Sequence, residues 1–516
     1  MGQYLCPDRC CVVLSLDLFV GRYLGLWYSP EHVSVLNFLS PTLNVDRDLK
    51  LPDDVLLNIL ERVGTLDAVR TCVASKQTIK LLTMLSQIVI VLSAPELVRK
   101  NGVVADVTER ILTAGSPQIP IRNLKLKFIM RGDDHLKIGR SVALAMARHK
   151  VEAAEFQILT NKYSNDCRRD DLLNFAKQFN TFFGECPDAF GGLTRLHLQN
   201  MRFGESDIPN ILSTCKQLES LCFIFCDSGA YSMLQVKHDR LVELDITSGH
   251  FRTVELNYLP KLQRMSYSKW HYTLNPLVLG FVPRLSNLSL ANEYVNTDST
   301  IKISQVLVNV PLISVLHLDF QSEEVWLHQE PGKLLAPLLD KLRFVHLDNI
   351  PKNCGIAWTL SFLEAAPSLE ELCITVSDHK CHGGPRHNYS KEMDMKWDPS
   401  DLKHKNLAKL TIHGFESDDN FTRYVRCVMK IAVNIREVSL HDRKVCKTCT
   451  NAYRQAKVCP SIYPQTNKEK GPSRYPQTSK EKDLLSKKIM ETVVASPATI
   501  RFRPSCYYPP SVIEYM

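Results

Sequence analysis

Residues 193–198 read LTRLHL, and a close copy of those six letters returns down the chain. The copies are LESLCF from Leu218, LVELDI from Leu241, LQRMSY from Leu262, LSNLSL from Leu285, ISVLHL from Ile313, LRFVHL from Leu342, LEELCI from Leu369, LAKLTI from Leu407 and IREVSL from Ile435. Two earlier stretches, IRNLKL from Ile121 and VEAAEF from Val151, fit more loosely. The last three places alternate apolar, variable, apolar, the period of a strand with one buried face. One such strand leaves its apolar side exposed, whereas stacked copies share a continuous core.

The copies lie mostly 21 to 30 residues apart, the spacing of leucine-rich repeats. The expected fold is therefore α/β: a solenoid over residues 120–405, curved into a horseshoe, each unit a short strand and a returning helix or loop. Helical returns are legible in DIPNILSTCKQ before Leu218 and IAWTLSFLEAAPS before Leu369. Residues flanking the fourth place should line the concave face, where a ligand would sit. They include Arg195, His197, Glu243, Asp245, His317, Asp319, His346, Asp348 and Glu371, with Ser289, Cys373, Lys409, Thr411, Glu437 and Ser439 among the rest. The mixture of charges suits a protein as the bound target, and it forms no uniformly basic groove for nucleic acid.

His317 with Asp319 and His346 with Asp348 repeat one pair in adjacent units. Without a nucleophile or metal donor recurring beside them they read as solvent-facing ladder residues. A milder reading makes target binding sensitive to pH between 6 and 7.

A second signal precedes the repeats. Residues 51–85 read LPDDVLLNILERVGTLDAVRTCVASKQTIKLLTML. Asp53 and Asp54 suit a helix N-terminus, and Leu56, Ile59, Leu60 and Val63 form an apolar stripe. Gly64 stops that helix, Thr65 can cap a second, and Ser75 a third. Apolar surface is left over at Leu51, Pro52, Val55 and Leu57, available either to a partner or to the rest of the chain.

The run LPDDVLLNILERVGTLDAVRTCVASK resembles an F-box, the module that docks a receptor onto the Skp adaptor of a cullin-RING ubiquitin ligase. The Leu-Pro opening, LLNIL, DAVRTC and the following Ser-Lys carry the resemblance; Gln77, Thr78 and Ile79 stand where the family pattern continues with Arg-Trp. The resemblance implies an F-box over 47–90, with Leu51, Pro52, Val55, Leu57, Ile59, Leu60, Val69 and Val73 meeting the adaptor. Residues 406–449 are similar to the closing module of plant F-box/leucine-rich-repeat proteins, a strand, helix and strand of the FBD type. Tyr424, Val425, Val428 and Ala432 share one helical face there.

Composition sets the remaining bounds. The chain has 516 residues and 17 cysteines, scattered without a disulfide-like spacing, which points to a reducing compartment, cytoplasm or nucleus. No apolar run is long enough to span a membrane. Residues 1–46 read as a weakly ordered extension. The net charge is +8, and residues 443–488 hold twelve Lys/Arg against three Asp/Glu, so a basic, partly disordered tail over 450–516 carries the excess. YPQTNKEK at Tyr463 recurs as YPQTSKEK at Tyr475, a duplicated flexible stretch, followed by a helix candidate, DLLSKKIM, and a final strand candidate, ATIRFR. His441, Cys446, Cys449 and Cys459 could hold zinc but lack a second CxxC, and His379, Cys381, His382 and His387, in the long gap between Leu369 and Leu407, read as a surface loop over zinc. The expectation is therefore no metal, no cofactor, no catalytic residue, no nucleic-acid partner and no membrane partner. The implied function is target recognition for a Skp-cullin-F-box ubiquitin ligase. The alternative is a protein-binding scaffold with a degenerate F-box and no ligase association.

Overall fold

The computed structural model describes residues 52–63, 65–73, 81–229, 232–270, 275–292, 300–321, 325–351, 354–377, 402–442, 475–491, 493 and 497–504. The chain divides into two compact units, Met1–Met201 with Ser213–Leu218, and Arg202–Leu212 with Glu219–Met516.

The first unit opens with helices α1 (Asp53–Arg62) and α2 (Thr65–Val73). Strand β1 (Gln87–Ile90), α3 (Ala94–Ala114), β2 (Asn123–Ile129), α4 (Asp134–Arg148), β3 (Ala154–Leu159), α5 (Arg169–Glu185), α6 (Pro187–Gly191) and β4 (Arg195–Gln199) follow. The four strands pair in parallel in chain order, each helix returning the chain to the next strand. Strands and returns share an aromatic cluster: Phe128 of β2 and Phe156 of β3 pack with Phe179 and Phe182 of α5 and Phe190 of α6, mostly edge to face, with the Phe182 and Phe190 rings 5.0 Å apart. Gly139 on α4 makes room for this cluster, since a Cβ there would sit 2.4 Å from Phe182. Buried Asn101 on α3 acts as a piece of strand backbone. It donates to the Ile129 carbonyl at 2.9 Å and accepts from the Ile129 amide at 2.8 Å.

The repeats thus begin earlier than their letters indicate. β1 occupies the last four residues of the expected F-box, 87–90, and α3 the stretch 94–114 before the expected array start at 120. QIVI lacks the leucine pattern, and an edge strand packed on only one neighbour tolerates that.

The second unit has two parallel sheets. The inner one runs β5 (Ser220–Ile224), β7 (Glu243–Thr247), β9 (Arg264–Ser268), β11 (Asn287–Ala291), β12 (Val315–Asp319), β13 (Phe344–Pro351), β14 (Glu371–Ser377), β15 (Lys409–His413), β16 (Glu437–His441) and β17 (Thr499–Arg503). Every copy of the six-letter pattern from Leu218 onward supplies one of these strands. The outer sheet is β6 (Met233–Lys237), β8 (Thr253–Tyr258) and β10 (Leu277–Phe281). Three consecutive returns are therefore strands, where a helix or loop was expected. MLQVK and TVELNY alternate with period two, and Leu234, Val236, Val254 and Leu256 point into the core. Later returns are short helices, α7 (Ile303–Val306), α8 (Gly332–Leu339) and α9 (Ser361–Ala365).

Strand exits share a backbone feature. Asn200, Phe225, Ser248, Lys269, Gln321 and Asn349 have φ between 51° and 58°, the left-handed turn that swings the chain off the inner sheet. Asn200 fits that site best, donating from Nδ2 to Thr160 Oγ1 at 2.7 Å.

The closing module forms as expected: β15, helix α10 (Asp419–Ile431) capped by the Asp418 side chain, and β16. Tyr424 is buried and shares a 2.6 Å hydrogen bond with Thr359. Beyond it the tail folds one further repeat, helix α11 (Ser479–Met490) and β17. The second YPQT copy is therefore part of the fold. The Tyr475 hydroxyl is buried and donates to the Leu440 and Arg503 carbonyls, and Thr478 caps α11. The first copy lies outside the described residues, as do residues 1–46.

Candidate functional site

Two surfaces carry the sequence-predicted residues. The first is on α1 and α2. Leu60 and Ala68 pack with Leu81 and Leu85 in a small core, with Leu56, Leu57, Val63 and Leu82 against it. Leu60 is only 4% exposed, so its assignment to an adaptor surface is corrected: it holds the helices together. Pro52 and Val55 are exposed, and Leu57, Ile59 and Val69 are half-buried. Leu51 and the side chain of Val73 lie outside the described residues, as do Gln77, Thr78 and Ile79. The question of what the surplus surface packs against has a split answer: part seals the helices onto their own chain, and Pro52 and Val55 stay in solvent.

This helical module is locked to the first strand. Glu61 on α1 accepts from the Ser86 amide at 3.1 Å and its hydroxyl at 2.6 Å. Thr65 Oγ1 accepts from the Val89 amide of β1 at 2.7 Å. Edge-strand amides that would otherwise need water are thereby satisfied by side chains.

The second surface is the variable face of the inner strands, built within each unit by the strict period of two. In the first unit Arg195 is exposed and His197 half-buried beside Lys127 and Glu155; burial pushes the His197 imidazole down to about 4. In the second unit the charges compensate one another along the ladder. Arg264 meets Glu243 at 3.2 Å, Lys409 meets Glu371 at 2.8 Å, and Glu437 faces both Arg501 and Arg503. Asp245 stands half-buried between Cys222 and Ser266 in register.

The His and Asp pairs do not stand in solvent as read. Asp348 is 6% exposed; it accepts from His317 Nε2 at 3.0 Å and from Thr375 Oγ1 at 2.6 Å. Asp319 accepts from the Asn349 side chain at 2.7 Å and the Gln321 amide at 3.0 Å, and burial raises its carboxyl above the usual range. Asp348 is therefore corrected from a target-facing contact to part of an internal network, to which the half-buried Asp319 is joined through Asn349. Asp348 lies at the β13 bulge between Leu347 and Ile350. His346 is shifted down, first by burial and then by the His317 charge.

Ser289 Oγ and His317 Nδ1 are 3.0 Å apart, so Ser289, His317 and Asp348 are connected in the order of a nucleophile, base and carboxylate. The connectivity is a consequence of side chains on adjacent strands. The backbone around Ser289 runs in the parallel ladder, with β9 on one side and β12 on the other.

Among the described residues no three His, Cys, Asp or Glu side chains converge on a metal position, and no helix is long and apolar enough to cross a membrane. Cys446, Cys449 and Cys459, and the set His379, Cys381, His382 and His387, lie outside them. Sequence reasoning missed Thr375 and Asn349, whose roles arise from a bulge, and Arg501 and Arg503, whose register on β16 no local pattern encodes.

Two family models agree with this architecture. The leucine-rich-repeat domain model described as At1g61320/AtMIF1 matches residues 180–470, and the F-box domain model matches residues 49–87. No curated protein matches. A solved structure, "Crystal structure of TLR13-ssRNA13 complex", is similar at 14% identity and a TM-score of 0.32, covering 64% of this chain and 52% of that one. The chain thus spans about half the length of that solved protein.

Proposed function

We propose that this chain, which belongs to the At1g61320/AtMIF1 leucine-rich-repeat family and carries an F-box ahead of its repeats, presents a target protein to a Skp-cullin-F-box ubiquitin ligase. The carrying observation is the exposed Pro52–Val55 edge of α1 on a module that Glu61 and Thr65 tie to Ser86 and β1. Those two residues are spent on the repeats, and the exposed edge is the part we assign to an adaptor. Pro52, Val55, Leu57, Ile59 and Val69, with Leu51 and Val73, are the residues we assign to that contact.

The target would lie along the variable face of the inner strands. Its mixed, internally compensated charges favour a protein surface that contributes its own hydrogen bonds. The contacts proposed are Arg195 and His197 on the first unit and, separately, Glu243, Asp245, His317, Asp319, His346 and Glu371 on the second. Ubiquitin transfer itself would belong to other subunits, this chain acting by proximity in the cytoplasm or nucleus.

The test is co-purification of the full-length chain with a Skp-type adaptor, wild type against Val55→Asp. Val55 is 40% exposed, so the change leaves the fold intact and places a charge in the contact. Loss of the adaptor with an unchanged melting curve supports the assignment. Wild-type chain that captures no adaptor at micromolar concentration leaves the scaffold reading, with a degenerate F-box.

A further inference from the structure

The inner sheet of the second unit stops on an unfinished layer. On β14, β15 and β16 the core-facing pairs, Leu372 with Ile374, Leu410 with Ile412 and Val438 with Leu440, are all 0% exposed. The matching pair on β17, Ile500 with Phe502, is only half-buried, although the Tyr475 ring reaches Phe502 at 6.4 Å. The Thr499 amide donates to the Arg436 carbonyl at 2.9 Å, on the β16 side. Strand alternation therefore turns the amides and carbonyls of Ile500 and Phe502 away from β16. Among the described residues no strand pairs with that edge. A free edge beside half-buried core side chains is what the last unit of a solenoid has to cover.

The letters that follow are SCYYPPSVIEYM, residues 505–516, which lie outside the described residues. Pro509 and Pro510 cannot donate to a ladder, and Val512 to Met516 then match β17 in length. Set antiparallel against Thr499–Arg503 end to end, that run puts Ile513 across from Phe502 and Tyr515 across from Ile500. Apolar side chains then meet on the core side. The same register puts Glu514 across from Arg501. Among the described residues Arg501 and Arg503 share one carboxylate, Glu437, at 3.7 and 3.3 Å. A slip of one residue would turn Glu514 into the core and set Ile513 over the arginines, so the pattern selects its register. A second copy of the chain fits worse, since β17 laid antiparallel on another β17 places Arg501 against Arg501.

We propose that residues 512–516 fold back as an antiparallel strand on the free edge of β17 and seal the end of the solenoid. Neither the adaptor nor a target enters this contact, so it stands or fails apart from the ligase function.

The test is amide hydrogen exchange on the full-length chain, read at Ile500 and Phe502, with sedimentation velocity on the same samples. Both amides should exchange slowly in wild type while the chain sediments as a monomer. Ile513→Asp should speed their exchange by ~tenfold or more, the loss of one or two edge hydrogen bonds, and leave Leu410 on β15 unchanged. Removal of residues 505–516 should do the same. Val512→Asp, on the arginine side of the added strand, should leave both amides slow. Fast exchange at Ile500 and Phe502 in wild type overturns the proposal. An equal response to Ile513→Asp and Val512→Asp also overturns it, because a paired strand has two unlike faces. Protection that appears only as the sedimenting mass doubles gives the edge to a second copy and overturns it as well.

Discussion

The two units solve the same problem with different returns. Between β2 and β4 the chain comes back through helices of 15 and 17 residues, and the second of these, with the short α6, brings Phe179, Phe182 and Phe190 onto Phe128 and Phe156 of the strands. Between β5 and β11 it comes back through strands of five or six residues, which present one aliphatic side chain at every second position. The strand face is nearly constant between them, and the return is where the architecture is free to change. Core strength should follow the return, since a helix can deliver a large ring where a strand delivers a leucine or valine.

The strongest challenge to this contrast is Phe182→Ala. Phe182 is fully buried among four rings, and its removal should cost about 4 kcal/mol in denaturant unfolding. A loss near 1 kcal/mol would mean that the aromatic core is not the keystone of the first unit.

Acid should act on the first unit through His197. Its folded pKa of about 4 lies below the ordinary 6.5, so between those values the unfolded chain takes up a proton that the folded chain refuses. The contribution is intact above pH 6.5 and is lost as the pH falls towards 4, on the order of 3 kcal/mol in all. Unfolding midpoints at pH 7 and 5 should differ for wild type and converge for His197→Gln.

In the outer sheet, Leu256→Ala should cost about 2–3 kcal/mol by the same denaturant measurement. A cost equal to that of Phe182→Ala would erase the difference between the two kinds of return. Glu61→Gln, at the joint of α1 with β1, should cost about 1 kcal/mol and raise amide exchange at Ser86 and Val89 ahead of β2. The smallest effect is expected from Arg264→Ala. Its pair with Glu243 is half-exposed, so the change should stay within about 0.5 kcal/mol.

The same contrast explains what could be read in advance. Inner strands were legible from Leu193 to Leu440 because three buried places per unit impose a fixed alternation on six letters. The outer strands were not, because MLQVK and LVLGF are too short to be told from loop by pattern alone. Helix α3 was missed for the opposite reason: VRKNGVVADVTERIL offers apolar residues on a broad arc, and its buried Asn101 looks like a surface residue until Ile129 is seen beside it. On the candidate surfaces, alternation identified which residues face outward, but not which are then covered. Asp348 is buried at a bulge, and Arg501 enters through a strand more than fifty residues beyond its neighbour Ser439.

The joint between α1 and β1 has a mechanical corollary. Leu85 closes the helical core and the strand starts at Gln87, with Ser86 between them gripped by Glu61. A tethered cargo samples a volume and reacts at whatever point swings into range; a cargo seated on β1–β4 of the first unit rides such a jig and is offered in one pose. Under the proposed activity, which lysine of a target seated there receives ubiquitin would be dictated by its place along those four strands, so shifting its seat by one strand spacing, about 4.8 Å, would change the modified residue.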